Sequence, residues 1–121
     1  MKLTVGQIAK LCHQINKAYC ETIGDNSQLD WDLCPKWQKD SAINGVEHVL
    51  ANPNCEYEDS HNNWFVEKIN DGWIYGKEKN EQRKIHPCMV DFNELPLQQQ
   101  LKDIFFINTI KTFINTIEIE A

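Results

Sequence analysis

The chain has 121 residues, 41% of them hydrophobic, which suffices for one domain spanning 1–121 that buries roughly two-thirds of the surface its unfolded form exposes. It carries 12 Lys and Arg against 18 Asp and Glu, and the net charge of -6 excludes duplex nucleic acid as the main expected partner, because it repels a phosphate backbone. The longest strictly aliphatic and aromatic run, Ile104-Phe105-Phe106-Ile107, is far short of a membrane span, and the opening Met1-Lys2-Leu3-Thr4-Val5-Gly6 lacks the apolar core of a signal peptide; a cytoplasmic location with no membrane attachment is expected.

The first helix is announced by Thr4-Val5-Gly6-Gln7, a capping-box pattern in which Thr4 and Gln7 satisfy otherwise orphaned N–H groups, with Leu3 and Ile8 placed as a hydrophobic staple. Ile8, Leu11 or Cys12, Ile15, Tyr19 and Ile23 recur at helical spacing until Gly24 provides a stop. Residues 25–34 read as a polar loop whose Leu29, Trp31 and Leu33 fold back onto the core. Pro35 suits the first position of a second helix carrying Trp37, Ala42, Val46, Val49 and Leu50, ending at Asn52-Pro53. A third helix is expected from Ser60, a good N-cap, through Trp64, Phe65 and Ile69 to Gly72.

Gly72-Trp73-Ile74-Tyr75-Gly76 is an alternating triplet between two glycines, which predicts a short strand, Trp73 to Tyr75, turned at both ends. Residues 77–84 hold no large apolar side chain and read as an exposed crossing, with a partner strand somewhere in 85–90. The last helix starts near Pro96 and runs through Leu97, Leu101, Ile104, Phe105, Ile110, Phe113 and Ile114 toward Ile117, although the β-branched tail favours helix less beyond Phe113. Its run Ile104 to Ile107 spans more than one helical face. With Leu101, Ile104 and Phe105 facing the core, Phe106 or Ile107 is left toward solvent, which predicts a homodimer that covers the strip.

Cys12, Cys20, Cys34, Cys55 and Cys88 are odd in number and fall in no disulfide framework, so free thiols are expected. On one helix Cys12 and Cys20 lie about 12 Å apart, beyond the reach of a disulfide. No metal and no cofactor are predicted: His61, His86 and Cys88 are candidates for a metal or nucleophilic site, but the paired short spacings of zinc ligands are missing. Glu67 and Asp71 lie four apart on one helix, as an acid and base pair would, yet they read better as solvated carboxylates. No nucleophile elbow, Walker loop, HExxH or EF-hand loop is present.

Four tryptophans stand out. The structural reading has Trp64 and Trp73 cementing the third helix to the strand. The functional reading places Trp64, Trp73 and Tyr75 along an aromatic wall, Trp73 and Tyr75 on one strand face and Ile74 on the other, where a planar ligand stacks. Lys77, Lys79, Arg83 and Lys84 follow and complement a phosphate or carboxylate on it. His61 and His86 complete the candidate ligand-binding set.

The ordered series Ile8-Ala9-Lys10-Leu11-Cys12-His13, Asn16, Tyr19, Gly24-Asp25, Trp37-Gln38, Ser41-Ala42-Ile43-Asn44-Gly45-Val46, His61, Trp64, Gly72-Trp73-Ile74-Tyr75-Gly76, Lys84, His86-Pro87, Leu95-Pro96 and Lys102-Asp103 resembles the RyR domain. This is the small module repeated in ryanodine receptor channels and found singly in bacterial and phage proteins; the resemblance covers about residues 5–108. One departure is Val90-Asp91-Phe92, where family members usually carry a proline and a tyrosine. The resemblance implies a mainly α fold of about four helices with a small two-stranded β element, and a role in recognition rather than catalysis. In the channels the modules occur in tandem with a phosphorylated linker; with one copy and no such linker here, channel activity and calcium conduction do not carry over. The preferred expectation is a non-enzymatic module for a small anionic or nucleotide-like ligand, the nucleotide part coming from the family's genomic associations. The alternative is a structural protein-protein interaction or oligomerisation domain, and a His/Cys-based enzyme ranks third.

Overall fold

A computed structural model describes residues 2–118; Met1 and residues 119–121, part of the single domain expected from sequence, lie outside the described residues. Four helices dominate: α1 (Val5–Thr22), α2 (Lys36–Ala51), α3 (Tyr57–Asn70) and α4 (Leu97–Phe113). They pack in the cycle α1, α2, α3, α4 and back to α1, and α2 also touches α4 across it. The core between them joins Ile8, Ala9 and Cys12 of α1 to Val46 and Val49 of α2 and to Ile107 and Ile110 of α4, with Cys55 closing one end. Among the described residues no helix is long and apolar enough to cross a membrane.

The expected capping box of α1 is formed: the Gln7 N–H donates to Thr4 Oγ1 at 3.1 Å and the Thr4 N–H donates to Gln7 Oε1 at 2.9 Å. Two helix starts differ from expectation. Pro35 is the N-cap of α2 rather than its first helical residue. Helix α3 opens three residues before Ser60, capped by Glu56, whose N–H donates to the Asp59 carboxylate at 2.8 Å. Ser60 is therefore free to turn inward, and it is buried. At the other end of the chain, α4 stops at Phe113 as its β-branched tail begins, and a 3-10 turn, Ile114–Thr116, follows.

Among the described residues, four two-residue strands form two parallel pairs. Strand β1 (Leu3–Thr4) pairs with β4 (Ile117–Glu118), a closure of the two ends of the chain that the sequence did not signal. Strand β2 (Ile74–Tyr75) pairs with β3 (Ile85–His86), the partner expected from residues 85–90. The pairing is parallel because the crossing reverses twice. An antiparallel bridge joins Asn80 to Ile85, and Lys84 adopts a left-handed φ of 56° just before the chain re-enters beside Ile74. The two glycines around β2 do different work. Gly72 has φ +90°, a turn that L side chains rarely adopt, whereas Gly76 is required by contact, since a Cβ there would lie 2.1 Å from Ile85 Cγ2.

Trp73 precedes β2 and is buried, only 7% exposed, while Ile74 and Tyr75 both face solvent. Its indole Nε1–H donates to Asp71 Oδ2 at 3.1 Å, so the one polar atom of the ring is satisfied. Emptying this site removes a large buried ring together with that bond. Trp73→Ala is expected to destabilise the domain by about 3–5 kcal/mol, read as a shift in the denaturation midpoint.

The last helix turns its apolar run the other way from expectation. Ile107 is fully buried, Phe106 packs against the core, and Phe105 is the one at the surface, where its ring meets Tyr19 edge-on at 5.1 Å. The inward register is set by Ile107 and Ile110, three apart on the face toward α1 and α2. Phe106 and Ile107 thus provide no exposed strip for two-fold pairing.

Candidate functional site

A cavity of about 360 Å³ opens between the helices, a size ordinary for small-molecule sites. All four helices contribute to its lining, together with residues 27–29, Trp73, Lys79, Glu81 and the His86 to Cys88 segment. The face of α3 is decisive. Ser60, Trp64 and Lys68 recur every fourth residue, with His61 and Glu67 beside them, and all five line the cavity.

Three of the four tryptophans meet here. The Trp37 and Trp73 rings lie 6.4 Å apart and tilted, with the Lys68 ammonium 5.0 Å from the first centroid and 5.7 Å from the second. Lys68 is buried, and its charge is balanced by Glu67 Oε1 at 3.5 Å; Glu67 in turn accepts a hydrogen bond from the Asn44 amide of α2. Trp64 stacks on the His61 ring at 5.5 Å and meets the edge of His86 at 5.1 Å.

The two histidines have fixed roles. His61 Nε2 donates to the Val90 carbonyl oxygen at 2.6 Å, and its Nδ1 faces Asp103 Oδ2 of α4 at 3.9 Å. The Val90 backbone carbonyl thus serves His61. His86 Nδ1 accepts the Cys88 N–H at 3.0 Å, a local turn that holds the two residues together without making them ligands of one ion. Burial, aided by Lys79 and Lys102, pushes His86 down to about 4, so its ring is neutral at pH 7. Burial also raises the Cys12 thiol to about 12 and raises Cys88, which keeps both protonated. Among the described residues no group of three or more His, Cys, Asp and Glu is placed to hold a metal ion.

Asp103 is the most perturbed carboxyl. Burial pushes it up to about 7 against the opposing pull of the Ser60 hydroxyl and Lys102. Of the residues expected from sequence, Trp64, Trp73, Lys79, His61 and His86 are brought together at the cavity. Tyr75, Lys77 and Lys84 are not. Tyr75 is 57% exposed on β2, so the alternation expected to put it beside Trp73 fails because Trp73 lies before the strand. Lys84 is committed elsewhere: its ammonium donates to the Asp71 carbonyl at 2.7 Å and pairs with the Asp71 carboxylate at 3.4 Å. Asp71 thereby binds Lys84 and Trp73, and only Glu67 of the proposed acid and base pair lines the cavity. Trp37, Ser60, Lys68, Lys102 and Asp103 were missed. A signal existed for Asp103, which shares the register of Phe106, Ile107 and Ile110 and so puts a carboxylate on an inward face.

The RyR domain family model matches residues 46–119, from within α2 to beyond α4. The chain belongs to the RyR domain family. The match includes α3, both strands of the β2 and β3 pair, and α4, hence most of the polar side of the cavity. Helix α1, which precedes the matched span of the RyR domain, still supplies core and cavity wall through Cys12 and Asn16.

The perturbed pair gives a measurable signature. The raised Asp103 value means a contribution to stability that is full below its ordinary value of 3.8 and is lost as pH rises to about 7. His86 acts in the opposite sense: its contribution is full above 6.5 and is lost as pH falls through about 4. The stability of the wild type minus that of Asp103→Asn cancels the His86 limb. That difference is expected to fall by a few kcal/mol between pH 4 and 7, at about 1.4 kcal/mol per unit, in denaturant titrations across the range.

Proposed function

We propose that this RyR domain is a non-enzymatic recognition module that binds a small anionic or nucleotide-like ligand in the cavity between its helices. The observation that carries the reading is the convergence of Trp37, Trp64 and Trp73 with the polar side chains of Ser60, His61 and Asp103 around one space of about 360 Å³. An apolar aromatic wall with a few fixed polar groups is the common composition of a small-ligand site, and a nucleoside monophosphate is of fitting size. Two lysines supply the anionic complement. Lys79 and Lys102 both line the cavity, and both act on His86 through their charge, which sets them near the same spot. Lys102 is in no salt bridge among the described residues, so its charge is available to a ligand. The thiols speak against nucleophilic chemistry, since burial raises Cys12 and Cys88 away from the reactive thiolate.

A thermal-shift panel of nucleotides, metabolites and inorganic anions tests the reading. A compound at a hundred times its dissociation constant is expected to stabilise the fold by about 2.7 kcal/mol. Lys79→Glu and Lys102→Glu should each weaken the binding of an anionic hit at least tenfold, whereas Lys77→Glu, away from the cavity, should leave it unchanged. Equal affinity in all three would remove these lysines from the site.

A further inference from the structure

Building on the reading that the cavity holds a small ligand, we propose that its polar floor selects a planar ring bearing an exocyclic amino group, received jointly by Asp103 and His61. His61 is 3% exposed, and its Nε2 lies 2.6 Å from the Val90 carbonyl oxygen. A carbonyl only accepts, so the ring hydrogen is on Nε2, and in the neutral ring Nδ1 is an acceptor. That acceptor faces Asp103 Oδ2 at 3.9 Å, too long for a direct hydrogen bond. Both atoms are acceptors, and they stand 3.9 Å apart. A nitrogen seated between them reaches each at about 2.9 Å, and the two hydrogens of an amino group serve both.

The surroundings favour a ring behind that amino group. Trp64 lies nearly parallel to His61, at 29° and 5.5 Å, and offers an apolar edge beside the pair. The Ser60 hydroxyl and the Lys102 charge both favour the ionised Asp103 carboxylate, whose oxygens have acceptor capacity for a further donor. An oxo group in place of the amino group would set a third acceptor against the other two, so the floor discriminates by repulsion as well as by attraction. A cationic group on the ligand is disfavoured at the Trp37 and Trp73 rings, because the Lys68 ammonium already lies 5.0 Å and 5.7 Å from their centroids.

The experiment is calorimetry on the full chain with two matched pairs of probes: cytidine against uridine 5′-monophosphate, and adenosine against inosine 5′-monophosphate. It is run at about pH 8, above the value near 7 to which burial raises Asp103, so that the carboxylate is an acceptor. The amino-bearing member of each pair should bind at least about tenfold more tightly, as a paired polar contact discriminates. Asp103→Asn, which exchanges one acceptor for a donor, should erase the preference; if that variant does not fold, the wild-type comparison decides alone. Equal affinity within both pairs overturns the inference and leaves the ligand reading standing. A preference that survives in folded Asp103→Asn overturns the assignment to Asp103. If none of the four binds while another compound of the panel does, this inference fails by itself; if no compound of the panel binds, the reading beneath it fails.

Discussion

The buried ammonium of Lys68 is the point on which the ligand-facing half of the domain depends. A lysine so far from water must be compensated, and it is compensated three times: by the Trp37 ring from α2, by the Trp73 ring after α3, and by the Glu67 carboxylate on its own helix. Because Glu67 also receives the Asn44 amide, the same charge network ties α2 to α3. Trp73 is then held from two sides, by Lys68 over its face and by Asp71 at its indole nitrogen. The short β2 and β3 pair can be placed by a buried ring although it has only two residues in each strand, too few to be stable alone.

The cavity is divided electrostatically. One side holds Lys68 with its own counter-ion, the other Asp103 and His61 near the Ser60 hydroxyl, and Lys79 and Lys102 add positive charge to the lining. The chain as a whole is at -6, whereas the cavity lining is balanced, with Lys68, Lys79 and Lys102 set against Glu67, Glu81 and Asp103. Burial depresses His86, and the charges of Lys79, Lys102 and Lys68 act in the same direction. Net charge, which argues against a nucleic-acid duplex, thus does not argue against a small anion held between helices.

Membership in the RyR domain family accounts for the side of the domain that carries the β pair and the His-Pro step, but the family match begins only at Val46. Helix α1 completes the hydrophobic core from outside that span, with Ile8, Ala9 and Cys12 packed on α2 and α4. His13, next to them, is buried and bonds to the Leu29 carbonyl oxygen at 2.6 Å, which folds the 25–34 segment down over the helix. Trp31 follows it onto the core, while Leu29 and Leu33 stay exposed.

Local rules made much of this legible in one dimension. The capping box at Thr4 and Gln7, the helical periods, the positive φ at Gly72 and the halt of α4 where its β-branched tail begins all follow from contacts within a few residues, which a sequence displays directly. The aromatic and histidine members of the site could be named for the same reason, as rare residue types clustered around one short motif. Only the tertiary structure decided which of them face inward. Whether Trp73 stands in the strand or before it depends on one residue of register, and that register is set by Ile85 against Gly76 and by the left-handed turn at Lys84. Pairing of the two chain ends, with Leu3 against Ile117, requires four helices to be packed first. Asp103 is pushed up to about 7 only because packing of the helices removes its water, a desolvation that belongs to the packed molecule and to no stretch of its chain.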